Sequence, residues 1–259
     1  MYLVLKTIKT FITVLYILIF LVIVFYKHSY AKELRIGVAS NFLMPMNIIK
    51  QTFENQNKTK IYLSSGSSGS LYSQIINGAP LDIFLSANQN LPKKLENTAK
   101  GVKGTRFTYA IGKLLLFSTN KDLFDFSFPN IILSKKIKYI GIGNPKYVPY
   151  GMAAKQVLKS LKIFNILEKK IILSKNVNQV FLMNYYGNLD IGFIAKSDFI
   201  IKNKKGKVWD IPQNFYSPVK QDAILLKYGE KKSQAKIFLK FLSSKRVKDK
   251  LISLGYTVN

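Results

Sequence analysis

The chain has 259 residues, 48% of them hydrophobic, and 40 Lys or Arg against 13 Asp or Glu give a formal net charge of +27. This length and apolar content predict one or two globular domains with substantial cores. There is no cysteine, and the one histidine is His28. Beyond His28 the chain therefore lacks the residues for Ser–His or Cys–His catalysis and for the usual zinc sites. The composition favours a binding protein over an enzyme.

Residues 1–31 have the layout of a secretory leader. Lys6 and Lys9 precede an apolar run over 11–26, and Ser29 and Ala31 supply the small residues of a cleavage site. The sequence predicts a signal peptide over 1–31 and export of the rest to a periplasm-like space. An uncleaved membrane anchor is the alternative interpretation.

Strand-like and helix-like runs alternate from residue 34 onward. The predicted strands cover 34–40, 61–63, 81–86, 112–118, 137–142 and 189–194. The predicted helices cover 45–55, a segment from Leu71, 152–161, 177–185, 235–242 and 247–254. This alternation predicts parallel sheets covered by helices. We expect two domains, with the chain crossing between them near 110–112 and 217–221.

Residues 64–70 are all Ser or Gly, a composition that resembles a flexible linker. Leu71 and Ile75 follow it at helical spacing, which instead places the run at the start of a helix. Free N–H groups and hydroxyls at a helix N-terminus can bind an anion. Ala39-Ser40 and the segment 148–151 also lie between a predicted strand and a predicted helix. Each of these segments could equally be an ordinary helix cap, so both interpretations stay open on physical grounds alone.

The charged residues are spread along the chain. Lysine pairs such as Lys135-Lys136 recur without interleaved aromatic residues, which predicts a solvated basic surface and not a nucleic-acid interface. The resulting field favours anionic ligands. Among the few acids, Asp82 and Asp222 are the candidates for chemistry, although each could simply cap a turn.

Several spaced motifs are similar to those of the periplasmic molybdate/tungstate-binding proteins of ABC importers, a branch of the type II periplasmic binding proteins. The resemblance covers essentially the whole chain after the leader. The motifs are Val38-Ala39-Ser40, Ser68-Gly69-Ser70-Leu71, residues 78–87, Gly143-Asn144-Pro145, residues 148–154, Gln221-Asp222-Ala223, residues 238–242 and Gly255-Tyr256. The resemblance implies a two-lobed α/β fold, each lobe a mostly parallel sheet with flanking helices, and a ligand in the cleft. Lobe 1 would comprise 32–111 with 218–259, and lobe 2 would comprise 112–217.

The same resemblance implies a receptor that captures molybdate or tungstate and delivers it to an ABC permease. Carried over by motif, Ser40 and Ser68 would donate hydroxyl hydrogen bonds to the oxyanion. Backbone N–H groups would come from Ser68, Tyr150 and Val177.

Ala39, Gly69 and Ala195 are additional candidates for ligand contact. In many members of the family a tyrosine hydroxyl contacts the ligand where this chain has Ala195. We expect Tyr150 or a backbone group to replace that contact. The metal would arrive within the oxyanion, so no cofactor and no separate metal-ion site are expected.

Alternatives come from different classes of protein. Because Ala195 departs from the family pattern, a binding protein for sulfate or another tetrahedral oxyanion is one alternative. The long leader and the high charge would also suit a membrane-anchored basic protein that binds polyanions or has a structural role. We expect a monomer that does not bind nucleic acid.

Overall fold

The computed structural model describes residues 13, 15, 16, 32–202 and 205–258. The predicted leader over 1–31 and its cleavage site therefore lie, except for three residues, outside the described residues. Within the described part of the chain, no helix is both long and apolar enough to cross a membrane. From Glu33 onward the chain forms one compact unit.

The first lobe is built on a five-stranded sheet with the order β2-β1-β3-β10-β4. Its strands are β1 (Lys32–Ala39), β2 (Thr59–Gly66), β3 (Ile83–Leu85), β4 (Phe107–Gly112) and β10 (Val219–Leu225). Strand β1 runs parallel to β3, with Ile36 opposite Ile83, whereas β10 is antiparallel to both β3 and β4.

Five helices accompany this sheet in the described residues. They are α1 (Leu43–Asn57), α2 (Ser68–Ile76), α3 (Asn90–Asn97), α9 (Ser233–Leu242) and α10 (Lys245–Ser253). The predicted helical spacing is confirmed in α1, where Met46, Ile49 and Phe53 are all buried in one core with the strand residues. Burial of this apolar face, at about 25 cal/mol per Å², is what holds the helix on the sheet.

The second lobe has a sheet of five strands in the order β7-β6-β8-β5-β9. These are β5 (Leu114–Ser118), β6 (Ile140–Gly143), β7 (Ile171–Ser174), β8 (Ile191–Ala195) and β9 (Lys207–Asp210). Strand β6 is parallel to β7 and β8, and β5 is antiparallel to β8 and β9. The helices here are α4 (Asn130–Leu133), α5 (Pro149–Ser160), α6 (Phe164–Leu167), α7 (Val177–Tyr185) and α8 (Lys196–Lys202).

The predicted two-lobed α/β fold is confirmed, but each sheet is mixed where a mostly parallel sheet was expected. The sheets contain antiparallel strands because of the way the chain passes between the lobes. Only Lys113 separates β4 from β5, and β9 is followed by β10 in the first sheet. Strands β5 and β10 arrive from the other lobe without a helical crossover and can therefore run antiparallel to their neighbours. The predicted lobe limits, 32–111 with 218–259 and 112–217, remain predictions.

Candidate anion-binding site

The four principal candidates all stand at the beginning of helical turns. Ser40 opens a short 3₁₀ turn (Ser40–Phe42) directly after β1, Ser68 opens α2, Tyr150 is the second residue of α5, and Val177 opens α7. The first N–H groups of a helix have no partner inside it. Each candidate therefore presents a backbone donor that its own helix does not use.

Ser68 is fully buried, and its hydroxyl is held in a defined position. Its Oγ accepts the N–H of Ala87 at 2.9 Å. The capping function in α2 belongs to the preceding Ser67, whose Oγ accepts the N–H of Ser70 at 3.1 Å. A hydroxyl that accepts one hydrogen bond keeps its proton for donation. The geometry thus leaves the Ser68 O–H able to donate to an anion.

Ser40 differs from Ser68 in that its hydroxyl has no hydrogen-bond partner among the described residues, while the residue is only 7% exposed. The 3₁₀ turn that it opens packs against α7, the helix that begins at Val177. This contact brings the end of β1 in the first lobe close to a helix of the second lobe.

A single continuous cluster of buried side chains links the two lobes at this point. It contains Ala39 at the end of β1, Ala87 just after β3, Tyr150, Val177 and Ala195 at the end of β8. In α/β sheets, ligands bind where strand carboxyl ends meet helix N-termini. The cluster has this arrangement. Ala39 and Ala195 are the last residues of strands in the two different sheets, and Tyr150 and Val177 lie at helix starts.

Ala195 is completely buried and pairs with Leu114 of β5. Its methyl group offers no hydrogen-bond donor, so only its backbone could contact a ligand. The Tyr150 side chain is also buried, and its hydroxyl accepts a hydrogen bond from Gln221 Nε2 at 3.2 Å. Burial raises the pKa of Tyr150 well above its usual range, which keeps the phenol protonated. In this structure the phenol is held against β10.

Gly69 forms a contact between the lobes. Its N–H donates to the carbonyl oxygen of Tyr147 at 3.0 Å. A Cβ at position 69 would lie 2.9 Å from the Tyr147 Cα, so only glycine permits this approach. The Gly69 N–H is therefore already committed to a residue of the other lobe.

A groove of about 440 Å³ opens between the lobes. Gly69 is the single candidate residue that lines it. Lys94, Lys146 and Lys220 contribute cationic side chains, and the described residues of the lining include no Asp or Glu. The groove is therefore electropositive.

The two acids singled out in the sequence have structural partners. The Asp222 carboxylate is buried and accepts from Arg106 Nη1 at 2.6 Å and from Thr108 Oγ1 at 2.7 Å. Asp82 accepts the N–H of Arg35 at 2.7 Å and lies 2.9 Å from Lys232 Nζ. Both carboxylates join distant segments of the first lobe. In the described residues, no group of three or more acidic or histidine side chains could hold a metal ion.

Sequence reasoning missed a buried polar network beside the candidate residues. Gln221 Oε1 accepts from Asn41 Nδ2 at 3.0 Å and from the Tyr109 hydroxyl at 3.1 Å. The Tyr256 hydroxyl in turn donates to the Asn41 carbonyl oxygen at 2.9 Å. The motif Gln221-Asp222-Ala223 was visible in the sequence, but nothing in it indicated these partners.

The sequence matches the family described as bacterial extracellular solute-binding proteins over residues 34–257. It is 36% identical over 226 residues to the "Molybdate-binding protein ModA" of Rhodobacter capsulatus, covering 87% of this chain and 88% of that protein. Two solved structures are also similar. The Azotobacter vinelandii periplasmic molybdate-binding protein has a TM-score of 0.83 and 34% identity, over 87% of this chain and 99% of that one. The substrate binding domain of a putative molybdenum ABC transporter from Clostridium difficile has a TM-score of 0.68 and 30% identity, over 88% of this chain and 99% of that one.

These matches span nearly all of the chain after the predicted leader and nearly all of each relative. The family match over 34–257 includes both lobes, both segments that connect them and every candidate residue. Proteins of this kind bind a solute and do not transform it. The chain belongs to the bacterial extracellular solute-binding protein family.

Proposed function

We propose that this protein captures molybdate, or tungstate, and delivers it to an ABC permease. Two relatives that match over nearly the whole body of the chain are named for molybdate binding, and a third is named as the substrate binding domain of a putative molybdenum ABC transporter. The donor groups described above suit a tetrahedral oxyanion of this type.

The observation that carries the proposal is the pair of serine hydroxyls at helical N-termini. The Ser68 hydroxyl already accepts an N–H at 2.9 Å and keeps its proton to donate. The Ser40 hydroxyl has no partner among the described residues. Hydroxyl and N–H donors fixed in advance can satisfy the oxygens of a dianion without a mobile counter-charge.

The binding residues in this proposal are two hydroxyls and three backbone groups. Ser40 and Ser68 donate through Oγ, and Ser68, Tyr150 and Val177 donate through N–H. Ala39 and Ala195 are further backbone candidates. The Gly69 N–H would join them only if its hydrogen bond to the Tyr147 carbonyl oxygen broke. Molybdenum or tungsten enters as part of the ligand, and no cofactor is required.

Selectivity would follow from size and from the donor-only lining. Sulfate is smaller than molybdate and would leave longer, weaker hydrogen bonds in a cage shaped for the larger ion. A protonated phosphate brings an O–H group that a cage of donors leaves without an acceptor, at a cost of about 1–3 kcal/mol.

Export, partner and oligomeric state complete the proposal. The predicted signal peptide over 1–31 would direct the protein to the periplasm, where it would act as a monomer and dock on its permease. Closure of the two lobes around the anion would create the form that the permease accepts.

Calorimetric titration of the purified protein with molybdate, tungstate, sulfate and phosphate tests the proposal. We expect molybdate and tungstate to bind at one site, with sulfate and phosphate at least ~100-fold weaker, a difference of about 2.7 kcal/mol. Tightest binding of sulfate would favour the alternative that Ala195 suggested. Weak binding of all four anions, abolished by salt, would point to a general basic surface instead.

A further inference from the structure

Gln221 lies at the centre of a polar network that connects the two lobes. Its side-chain amide makes three hydrogen bonds of 3.0–3.2 Å, to Asn41, Tyr109 and Tyr150. Gln221 and its three partners are all at least 96% buried. Buried amide hydrogen bonds of this kind fix orientation because water cannot replace them.

The three partners belong to different parts of the molecule. Asn41 follows the candidate binding residue Ser40 in the first lobe, and Tyr109 lies on β4 of the same lobe. Tyr150 lies in the second lobe, in the first turn of α5. One amide therefore joins the segment that carries Ser40 to the helix start that presents the Tyr150 N–H.

The approach of Tyr150 to Gln221 depends on Gly112, the last residue of β4 before the chain crosses to the second lobe. A Cβ at position 112 would lie within 2.6 Å of Gln221 Nε2 and closer still to the Tyr150 hydroxyl. The absence of a side chain at the crossing point is thus a condition for the bond between the lobes.

We infer that Gln221 is a positioning residue that holds the two halves of the oxyanion site in register when the lobes are closed. It contacts none of the proposed donor groups directly and acts through Asn41 and Tyr150. The inference rests on the proposed function, because it concerns the same site. It predicts that the Tyr150 phenol matters for ligand release, although only the Tyr150 backbone N–H is proposed to contact the ligand.

Tyr150→Phe tests this inference most cleanly because it removes the hydroxyl and keeps the backbone donor. The rate at which radiolabelled molybdate is released into excess unlabelled molybdate should rise about fivefold, which corresponds to about 1 kcal/mol for one hydrogen bond. Gln221→Met should increase the rate by at least as much. Adding Tyr150→Phe to Gln221→Met should change it by less than about twofold, since the shared bond is already lost.

Tyr109→Phe is the matched control. It removes another hydrogen bond to Gln221, but that bond joins β4 to β10 within the first lobe. We expect the release rate to change by less than about twofold. The melting temperature of ligand-free protein provides a second measurement. Because the inference assigns the bond to the closed lobes, Tyr150→Phe should leave the melting temperature of the ligand-free protein within about 2 °C of wild type.

Three results would count against these claims in different ways. A Tyr150→Phe variant that releases molybdate at the wild-type rate would overturn the inference and leave the proposed function intact. So would a Tyr150→Phe variant with a lower ligand-free melting temperature and an unchanged release rate, because the bond would then only stabilise the fold. A wild-type protein that binds none of the tested oxyanions would overturn the proposed function, and the inference with it.

Discussion

Gly69 and Tyr147 join the two lobes through a direct backbone hydrogen bond. The Gly69 N–H at the start of α2 donates to the Tyr147 carbonyl oxygen at 3.0 Å, just ahead of α5. The two residues lie beside the proposed donors Ser68 and Tyr150 and also line the groove between the lobes. We therefore expect their contact to link closure of the lobes to assembly of the proposed site.

Gly69→Ala should oppose this closure. The added Cβ would lie 2.9 Å from the Tyr147 Cα and 3.0 Å from its carbonyl oxygen, so the backbone of one lobe would have to move. Overpacking of this kind costs about 1–3 kcal/mol. We expect molybdate affinity, measured by calorimetry, to fall by about five- to 150-fold.

Gly66→Ala is the control for this substitution. A Cβ at position 66 would meet its nearest neighbour, the Leu71 side chain, at an ordinary 3.6 Å. Its affinity should stay within about twofold of wild type. Equal effects of the two alanines, or no effect of Gly69→Ala, would show that the Gly69–Tyr147 contact does not matter for binding.

The lysines of the groove should speed the arrival of the anion. Lys94, Lys146 and Lys220 are exposed and line the groove next to Gly69. Cationic clefts raise association rates for anions, and salt screens the effect. Replacing all three with Gln should lower the association rate constant for molybdate by about three- to tenfold at low salt, measured by stopped-flow fluorescence.

The matched control replaces three exposed lysines outside the groove lining, Lys135, Lys138 and Lys162, with Gln. It removes the same net charge, so a general charge effect would slow association equally in both variants. We expect the association rate constant to fall less in the control variant than in the groove variant. We also expect this rate constant to depend less on salt in the groove variant than in the control. Identical rates in the two variants would rule out a directed route through the groove.

Asp198 should make stability depend on pH. Burial raises the pKa of Asp198 to about 6 from 3.8, although its partner Lys202 lowers it. Lys202 Nζ lies 3.3 Å from Oδ1, and Oδ2 has no hydrogen-bond partner among the described residues. Between pH 4 and 6 the folded state binds a proton that the unfolded state releases. Asp198 therefore contributes stability below pH 4 that is lost as the pH rises through about 6.

Asp198→Asn removes this titration. Between pH 4 and pH 7, the free energy of unfolding of the variant minus that of wild type should increase by about 2–3 kcal/mol, as follows from a shift of about two pKa units. Urea unfolding of both proteins at several pH values gives this difference. The comparison cancels groups such as Glu96, whose lowered pKa acts in the opposite direction. A difference that stays constant with pH would contradict the prediction.

Regular periodicity and clear capping residues allowed much of the fold to be predicted. Helix α7 was predicted over 177–185 and has those bounds, with the Asn176 side chain accepting the N–H of Gln179. The predicted strand over 112–118 is in fact divided, because Gly112 ends β4 and Leu114 begins β5. Strand β10 was not predicted, since Gln221 and Asp222 interrupt its apolar pattern. Both are buried, each with polar partners from other segments.

The candidate site was predicted from motifs more than from physical patterns. Helix starts after strands can be recognised locally, and these indicated Ser40, Ser68 and Tyr150. The bond from Asn41 to Gln221 joins residues 180 positions apart in the chain, and no local pattern reports such a pairing. Likewise, nothing in the sequence around Tyr150 indicated that its phenol would bond to Gln221 on a strand of the other lobe.

Ser40 and Ser68 are expected to respond differently to alanine substitution. Ser68→Ala should weaken binding and also reduce stability by about 1–3 kcal/mol, because it leaves the buried Ala87 N–H without its acceptor. Ser40→Ala removes a hydroxyl with no partner among the described residues, so stability should change little. Urea unfolding of the ligand-free variants measures this difference. A large loss of stability in Ser40→Ala would mean that the hydroxyl has a structural role.

The most direct test is a calorimetric titration of molybdate into wild type, Ser40→Ala and Ser64→Ala. Ser64 is exposed and lies in the same serine-rich segment as Ser68. A hydrogen bond to a charged ligand contributes about 1.5–3 kcal/mol, so Ser40→Ala should lose about ten- to 150-fold in affinity. Ser64→Ala should stay within about twofold of wild type. Wild-type affinity in Ser40→Ala, or an equal loss in Ser64→Ala, would contradict a shaped oxyanion site at these helix starts.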